Sequence, residues 1–111
     1  MDTELLKGTL SLLILSLLGR KEMYGYEIVK RVEEATDGAL RWKEGSLYPN
    51  LHKLERDGLI LGRWHEEPGQ RRRRYYGLTA AGRRALAGEL ASWRQLAKAV
   101  DQILKAEVHH G

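Results

Sequence analysis

Apolar residues recur at helical spacing near the start of the chain. Leu5, Leu6, Leu10, Leu13, Ile14, Leu17 and Leu18 follow Thr3, a residue suited to capping a helix, and Gly19 ends the run. This predicts a first helix over about residues 4–18. After the charged link Gly19 to Glu22, a second helix is predicted over Tyr24 to Thr36. There Ile28, Val29, Val32 and Ala35 form one apolar stripe beside Glu27, Lys30, Arg31 and Glu34. Asp37-Gly38 reads as a turn. A third helix is expected to start near Ser46, with Pro49 tolerated in its first turn, and to stop at Asp57-Gly58.

From Leu59 the period changes. Leu59 to His65 and Arg72 to Leu78 are short runs with Ile, Trp and Tyr, separated by Glu66-Glu67-Pro68-Gly69-Gln70, the pattern of a β-hairpin with a mobile tip. Thr79 can cap a last helix whose apolar positions Leu86, Leu90, Trp93, Ala97, Val100 and Leu104 step by 4, 3, 4, 3 and 4 residues. Such a heptad seam on a long helix needs cover, and a second copy of the chain is the simplest partner. The predicted fold is therefore mainly α with a small β-hairpin: a winged helix-turn-helix with a long C-terminal dimerisation helix. Residues 1–78 would form the DNA-binding part and residues 79–111 the dimerisation helix and short tail, in one continuous structural unit.

Composition narrows the function. The 111 residues suit one domain, and 42% hydrophobic residues suffice for one core. With no cysteine there is no disulfide, thiolate zinc site, iron–sulfur cluster or cysteine nucleophile, which fits a reducing cytoplasm. Leu10 to Leu18 falls short of the roughly 20 apolar residues needed to cross a bilayer. A start carrying Asp2 and Glu4 does not resemble an export signal. The net charge of +4 is uneven: residues 1–38 carry −2, residues 39–78 carry +4 and residues 79–111 carry +2. The middle third therefore supplies the field that would attract a polyanion.

Within that third, Leu47, Leu51 and Leu54 fall on one face of the predicted third helix. Ser46, Pro49, Lys53 and Arg56 fall opposite, flanked by His52, with Tyr48 and Asn50 at the edges and Lys43 just before. A hydroxyl and two cations on a free face suit both phosphate and base-edge hydrogen bonding, although any surface helix turns polar residues outward. Arg71, Arg72, Arg73 and Arg74 follow on the hairpin, where strand alternation would divide them between two faces. Each phosphate they neutralise would release counterions and make binding salt-sensitive; the plainer reading is a solvated charge run guarding an edge strand.

No catalytic constellation stands out. His52 and His65 lack triad or metal spacing, Ser46 has no signature of an activated nucleophile, and Glu33-Glu34 and Glu66-Glu67 read as solvated pairs. There is no glycine-rich phosphate loop. His109-His110 reads as part of a disordered tail, Val108 to Gly111, rather than a metal site. Neither cofactor nor metal is expected. Trp42 and Trp64 are read as packing around the third helix and hairpin.

Three ordered blocks carry a resemblance to a known family. Gly45-Ser46-Leu47-Tyr48-Pro49-Asn50-Leu51, with Leu54-Glu55 and Gly58-Leu59-Ile60, closely resembles the signature of PadR-like transcriptional regulators. Tyr24-Gly25-Tyr26-Glu27-Ile28 and Tyr75-Tyr76-Gly77-Leu78-Thr79, followed by Gly82, support it, and the likeness runs from about Gly8 to Leu104. The resemblance implies a cytoplasmic repressor of the smaller PadR subfamily, dimerising through its terminal helices on an inverted-repeat operator of double-stranded DNA. It further implies that Tyr24, Tyr26, Ser46, Tyr48 and Lys53 approach the DNA beside the arginine wing. Some short PadR-like regulators hold planar aromatic molecules between symmetry-related tryptophans. Trp93, with Leu90, Ala97 and Val100, is the matching candidate here, with ordinary dimer-core packing as the plainer alternative. The main rival is a winged-helix protein-interaction module that does not bind DNA; a small enzyme is the remoter one.

Overall fold

The structure is a computed structural model and describes residues 9–110. Its elements run α1 (Leu10–Leu18), β1 (Met23–Tyr24), α2 (Gly25–Ala35), α3 (Glu44–Arg56), β2 (Ile60–His65), β3 (Arg73–Leu78) and α4 (Ala80–His110). The predicted cap Thr3 and the first turn of the first helix lie outside the described residues.

The helical stripes close one core. Ile14, Leu15 and Leu18 of α1, Ile28 and Val32 of α2, and Leu47, Leu51 and Leu54 of α3 are buried together with Met23, Trp42, Ile60 and Tyr76. Each such side chain contributes roughly 1.5–3 kcal/mol by leaving water. The three α3 leucines occupy a single face, so the opposite face is left to solvent.

Several boundaries differ from the sequence expectation. Tyr24 does not open a helix: its backbone is extended (φ −93°, ψ 165°), and it pairs with Tyr75 while Met23 pairs with Tyr76. The hairpin is thus the larger part of a three-stranded antiparallel sheet in the order β1-β3-β2. Helix α3 begins at Glu44 behind an extended Lys43, which makes Pro49 its sixth residue rather than a first-turn residue. Pro49 has no N–H to offer the Gly45 carbonyl, and the next carbonyl along, that of Ser46, accepts from the Asn50 side-chain amide at 3.0 Å. Leu59 precedes β2, and Arg71 and Arg72 precede β3. The tail expected to fray is helical through His110.

The ends of α3 and the start of α4 are fixed by one junction. Gly58 adopts φ 76°, which lets its own N–H reach the Glu55 carbonyl and the Leu59 N–H reach the Leu54 carbonyl, each at 3.0 Å. Thr79 donates its hydroxyl to the Gly58 carbonyl at 2.6 Å and accepts the Gly82 N–H at 3.0 Å, capping α4 as its position predicts. Gly82 is buried there, and a Cβ on it would run into the Leu59 carbonyl oxygen. Gly82→Ala should therefore destabilise the fold by about 2 kcal/mol, read as a lower midpoint in urea with unchanged slope.

Helix α4 spans 31 residues, roughly 46 Å at 1.5 Å per residue, and gives the chain a long axis of 64 Å. Ala85 and Leu86 pack against the core. Gly88 is exposed, with open space where a side chain would stand. Beyond it Trp93, Leu96, Val100, Ile103 and Leu104 are 45–63% exposed, while Leu90 and Ala97 are partly buried. Among the described residues no helix is long and apolar enough to cross a membrane.

Candidate nucleic-acid interface

An open cleft of about 590 Å³ lies between the start of α2, one side of α3 and the hairpin. Tyr24 and Tyr26, Tyr48 and His52, and the run Arg71 to Arg74 all line it. Around α3, the Tyr48–His52 side borders the exposed face that carries Ser46, Pro49, Lys53 and Arg56. The predicted residues are thus brought onto adjoining surfaces, with Lys43 exposed at the helix start and Asn50 half-buried, its side-chain amide donating to the Ser46 carbonyl.

Tyrosines shape the cleft. Tyr48 crosses the first residue of α2, where a Cβ on Gly25 would stand 2.6 Å from its hydroxyl oxygen and 2.8 Å from Cζ. Glycine at this buried helix start therefore makes room for the phenol. Burial, aided by the Glu44 carboxylate one turn earlier, holds the Tyr48 phenol above its ordinary pKa. It remains a hydrogen-bonding O–H across the physiological range. Gly25→Ala should displace the Tyr48 ring and weaken binding of any ligand in the cleft, at a cost of about 1–3 kcal/mol in unfolding free energy, read by parallel titration and urea unfolding. Tyr26 is 48% exposed with the Lys30 ammonium 5.7 Å from its ring centre.

The four arginines are not equivalent. Arg73 lies 4.4 Å over the Tyr24 ring, and Tyr24 meets Tyr75 edge-on at 5.4 Å. Arg72 stacks 4.3 Å over Trp64 and approaches Glu66 at 3.3 Å in a solvent-exposed pair. Such pairs contribute little and yield readily to a stronger anion. Arg74 is turned inward instead: its Nη2 meets Glu55 Oε2 at 2.8 Å, with both side chains about a quarter to a third exposed. Among the described residues, Lys43, Lys53, Arg56, Arg71 and Arg73 have no carboxylate partner. Unpaired guanidinium and ammonium groups beside phenols and an imidazole suit a phosphate backbone with base edges behind it.

Two contributors escaped the sequence reading. Trp64 is 53% exposed and serves as the platform for Arg72 and, at 5.5 Å, Arg74. The register Trp64↔Arg74 was the signal that could have found it, once the hairpin was aligned. Glu55 carries no local signal of this role, because its partners stand 7 and 19 residues away.

The aromatic candidate on α4 sits elsewhere. Trp93 borders a groove of about 580 Å³ between α1 and α4, with Leu12, Glu89 and Leu96 among its other walls. Leu90, Ala97 and Val100 lie off that groove. Burial raises the Glu89 carboxyl above its ordinary value. Among the described residues no His/Asp/Glu group could hold a metal ion.

Comparison with known proteins places this geometry. The family model for the transcriptional regulator PadR-like family matches residues 14–88. A solved transcriptional regulator from Clostridium thermocellum superposes with a TM-score of 0.84 at 31% identity, over 92% of this chain and 96% of that one. Bacillus subtilis PadR, solved with operator DNA, gives a TM-score of 0.67 at 30% identity over 74% of this chain and 46% of its own. A transcriptional regulator of Mycobacterium tuberculosis is 40% identical over 68 residues, covering 61% of this chain and 63% of that protein. Members of this family are transcriptional regulators rather than enzymes, and their fold is the winged helix seen here. By the extent of the family match and by its fold, the chain belongs to the PadR-like family of transcriptional regulators.

Proposed function

We propose that this chain is a cytoplasmic homodimeric repressor in which α3 reads the major groove of an inverted-repeat operator and the wing grips the flanking phosphates. The observation that carries this reading is the cleft: it sets the exposed Arg71, Arg72 and Arg73 beside the Tyr48–His52 side of α3. The structural likeness to a PadR chain solved with operator DNA supports it. Tyr24, Tyr26, Lys43, Ser46, Tyr48, Lys53 and Arg56 are assigned to the DNA, with residues 1–78 as the reading part and residues 79–111 as the pairing part.

Pairing is supported by the stripe on α4, where Trp93, Leu96, Val100, Ile103 and Leu104 stay about half or more exposed. A twofold pair would set two α3 helices about 34 Å apart, one turn of DNA. The indole of Trp93, beside Leu90, Ala97 and Val100 on the same helix, is assigned to a planar aromatic effector that shifts this spacing and releases the operator.

The test is a footprint on duplexes that the protein itself selects from a random library. Two protected half-sites about 10–10.5 base pairs apart are expected. Failure to retain any duplex at low salt would remove the reading in favour of an interaction module. Repeating the footprint with planar aromatic compounds, on the parent protein and on Trp93→Phe, tests the effector. Protection lost in the parent and kept in the variant supports the site; loss in both removes it.

A further inference from the structure

We propose that Glu55 sets the angle of the wing against α3, and that Arg74 is its strut rather than a fourth phosphate ligand. This rests on the DNA-binding reading above. One oxygen, Glu55 Oε2, accepts from Arg74 Nη2 at 2.8 Å and from the Gly62 backbone N–H at 2.9 Å. Arg74 belongs to β3 and Gly62 to β2, so a single carboxylate near the end of α3 fastens both strands of the hairpin.

The surroundings are arranged for that contact. Arg74 runs across Gly62 so closely that a Cβ there would stand 2.5 Å from its Nε. Its guanidinium lies 5.5 Å from the Trp64 ring centre and 5.8 Å from that of the buried Tyr76. Two aromatic rings and a partly buried carboxylate thus fix the guanidinium, where a charge-assisted bond is stronger and more directional than on open surface. Arg71, three residues on and outside the strand, lies up to roughly 10 Å beyond this pivot. A change of angle at Glu55 therefore displaces Arg71 most and Arg73, next to the pivot, least, so phosphate contacts are loosened from the tip of the run inward. Buried Ile60 and Tyr76 seat the base of the hairpin against the α3 leucines and the ladder ties β2 to β3; the two bonds to Glu55 add a directional tie from both strands to α3.

The proposal gives a sign opposite to simple electrostatics. Glu55 is an anion beside a surface assigned to a polyanion, so on charge alone its removal should tighten binding. If it positions the wing, Glu55→Ala should bind a library-selected duplex roughly tenfold more weakly. The log–log salt dependence should also become shallower by about 0.9 for each wing arginine that loses its phosphate. Arg74→Met should behave likewise, and the double variant should be no weaker than Glu55→Ala alone, since both remove one strut.

A second measurement needs no DNA. The chain has no cysteine, so spin labels can be placed at Gln70→Cys in the wing tip and Glu34→Cys on α2. Adding the near-isosteric Glu55→Gln should broaden the distance distribution while the melting curve stays cooperative. Equal or tighter duplex binding by Glu55→Ala, an unchanged salt slope, additive losses in the double variant, or an unbroadened distance in Glu55→Gln would each overturn the proposal. If the parent retains no duplex, the DNA-binding reading fails and this role of Glu55 fails with it. If the parent binds and only the Glu55 variants behave otherwise than stated, the positioning role alone is lost.

Discussion

Replacing Arg71, Arg72 and Arg73 together with glutamine should weaken binding to a selected duplex by roughly a hundredfold at moderate salt and flatten its log–log salt dependence by about 2.7. All three side chains are exposed, and what the fold loses is the stacking of Arg72 on Trp64 and of Arg73 on Tyr24, about 0.5–1 kcal/mol each at an exposed site. Arg71 and Arg73 lack a carboxylate partner among the described residues, and the exposed Arg72–Glu66 pair at 3.3 Å is held too weakly to compete with a phosphate. Each cation that meets a phosphate releases counterions, which makes the slope a count of contacts. An unchanged slope, measured by titration at three or four salt concentrations, would mean that the wing does not touch the backbone. Glutamine removes the charge and keeps a shorter polar side chain, so the salt slope rather than the affinity alone reads the lost phosphate contacts.

Val100→Asp should abolish self-association and, with it, tight operator binding. In the single chain Val100 is 45% exposed, so a carboxylate there is solvated and the monomer keeps its stability. Once a second α4 covers the stripe, the same carboxylate would be buried without a partner, a cost of several kcal/mol. Sedimentation should shift from dimer to monomer at micromolar concentration, and duplex affinity should fall by at least a hundredfold because a single reading head remains. A Val100→Asp protein that still sediments as a dimer would place the pairing surface elsewhere. A variant that sediments as a monomer yet binds the selected duplex undiminished would show that pairing does not matter to recognition.

The parts legible in the sequence are those written as periodicity or as local chemistry. The spacing of Leu47, Leu51 and Leu54 marks the buried face of α3, Gly58 marks its end, and Thr79 marks the start of α4. These signals lie within a few residues of what they determine. Strand β1 was illegible because two residues cannot show alternation, and only the pairing of Met23 and Tyr24 with Tyr76 and Tyr75 makes them a strand. The start of α3 was missed because Lys43 makes no side-chain cap, so nothing local announces the helix before Ser46. Within the candidate site, the cationic residues could be found from type and spacing. Their division of labour could not, since the turning of Arg74 towards Glu55 depends on how a hairpin folds back over a helix.

Gly88 gives α4 a soft point. Interior glycine weakens a helix by roughly 0.5–1 kcal/mol relative to alanine, and here no neighbouring atom compensates. It falls between the turn clamped by Ala85 and Leu86 and the free length that carries Trp93 to Leu104. Thermal flexing at that joint would swing the distal arm, some 33 Å from Gly88 to His110 at 1.5 Å per residue, while the proximal turn stays seated. Two such arms lying together would act as a sprung coupling, giving the paired heads some compliance in how far apart they reach.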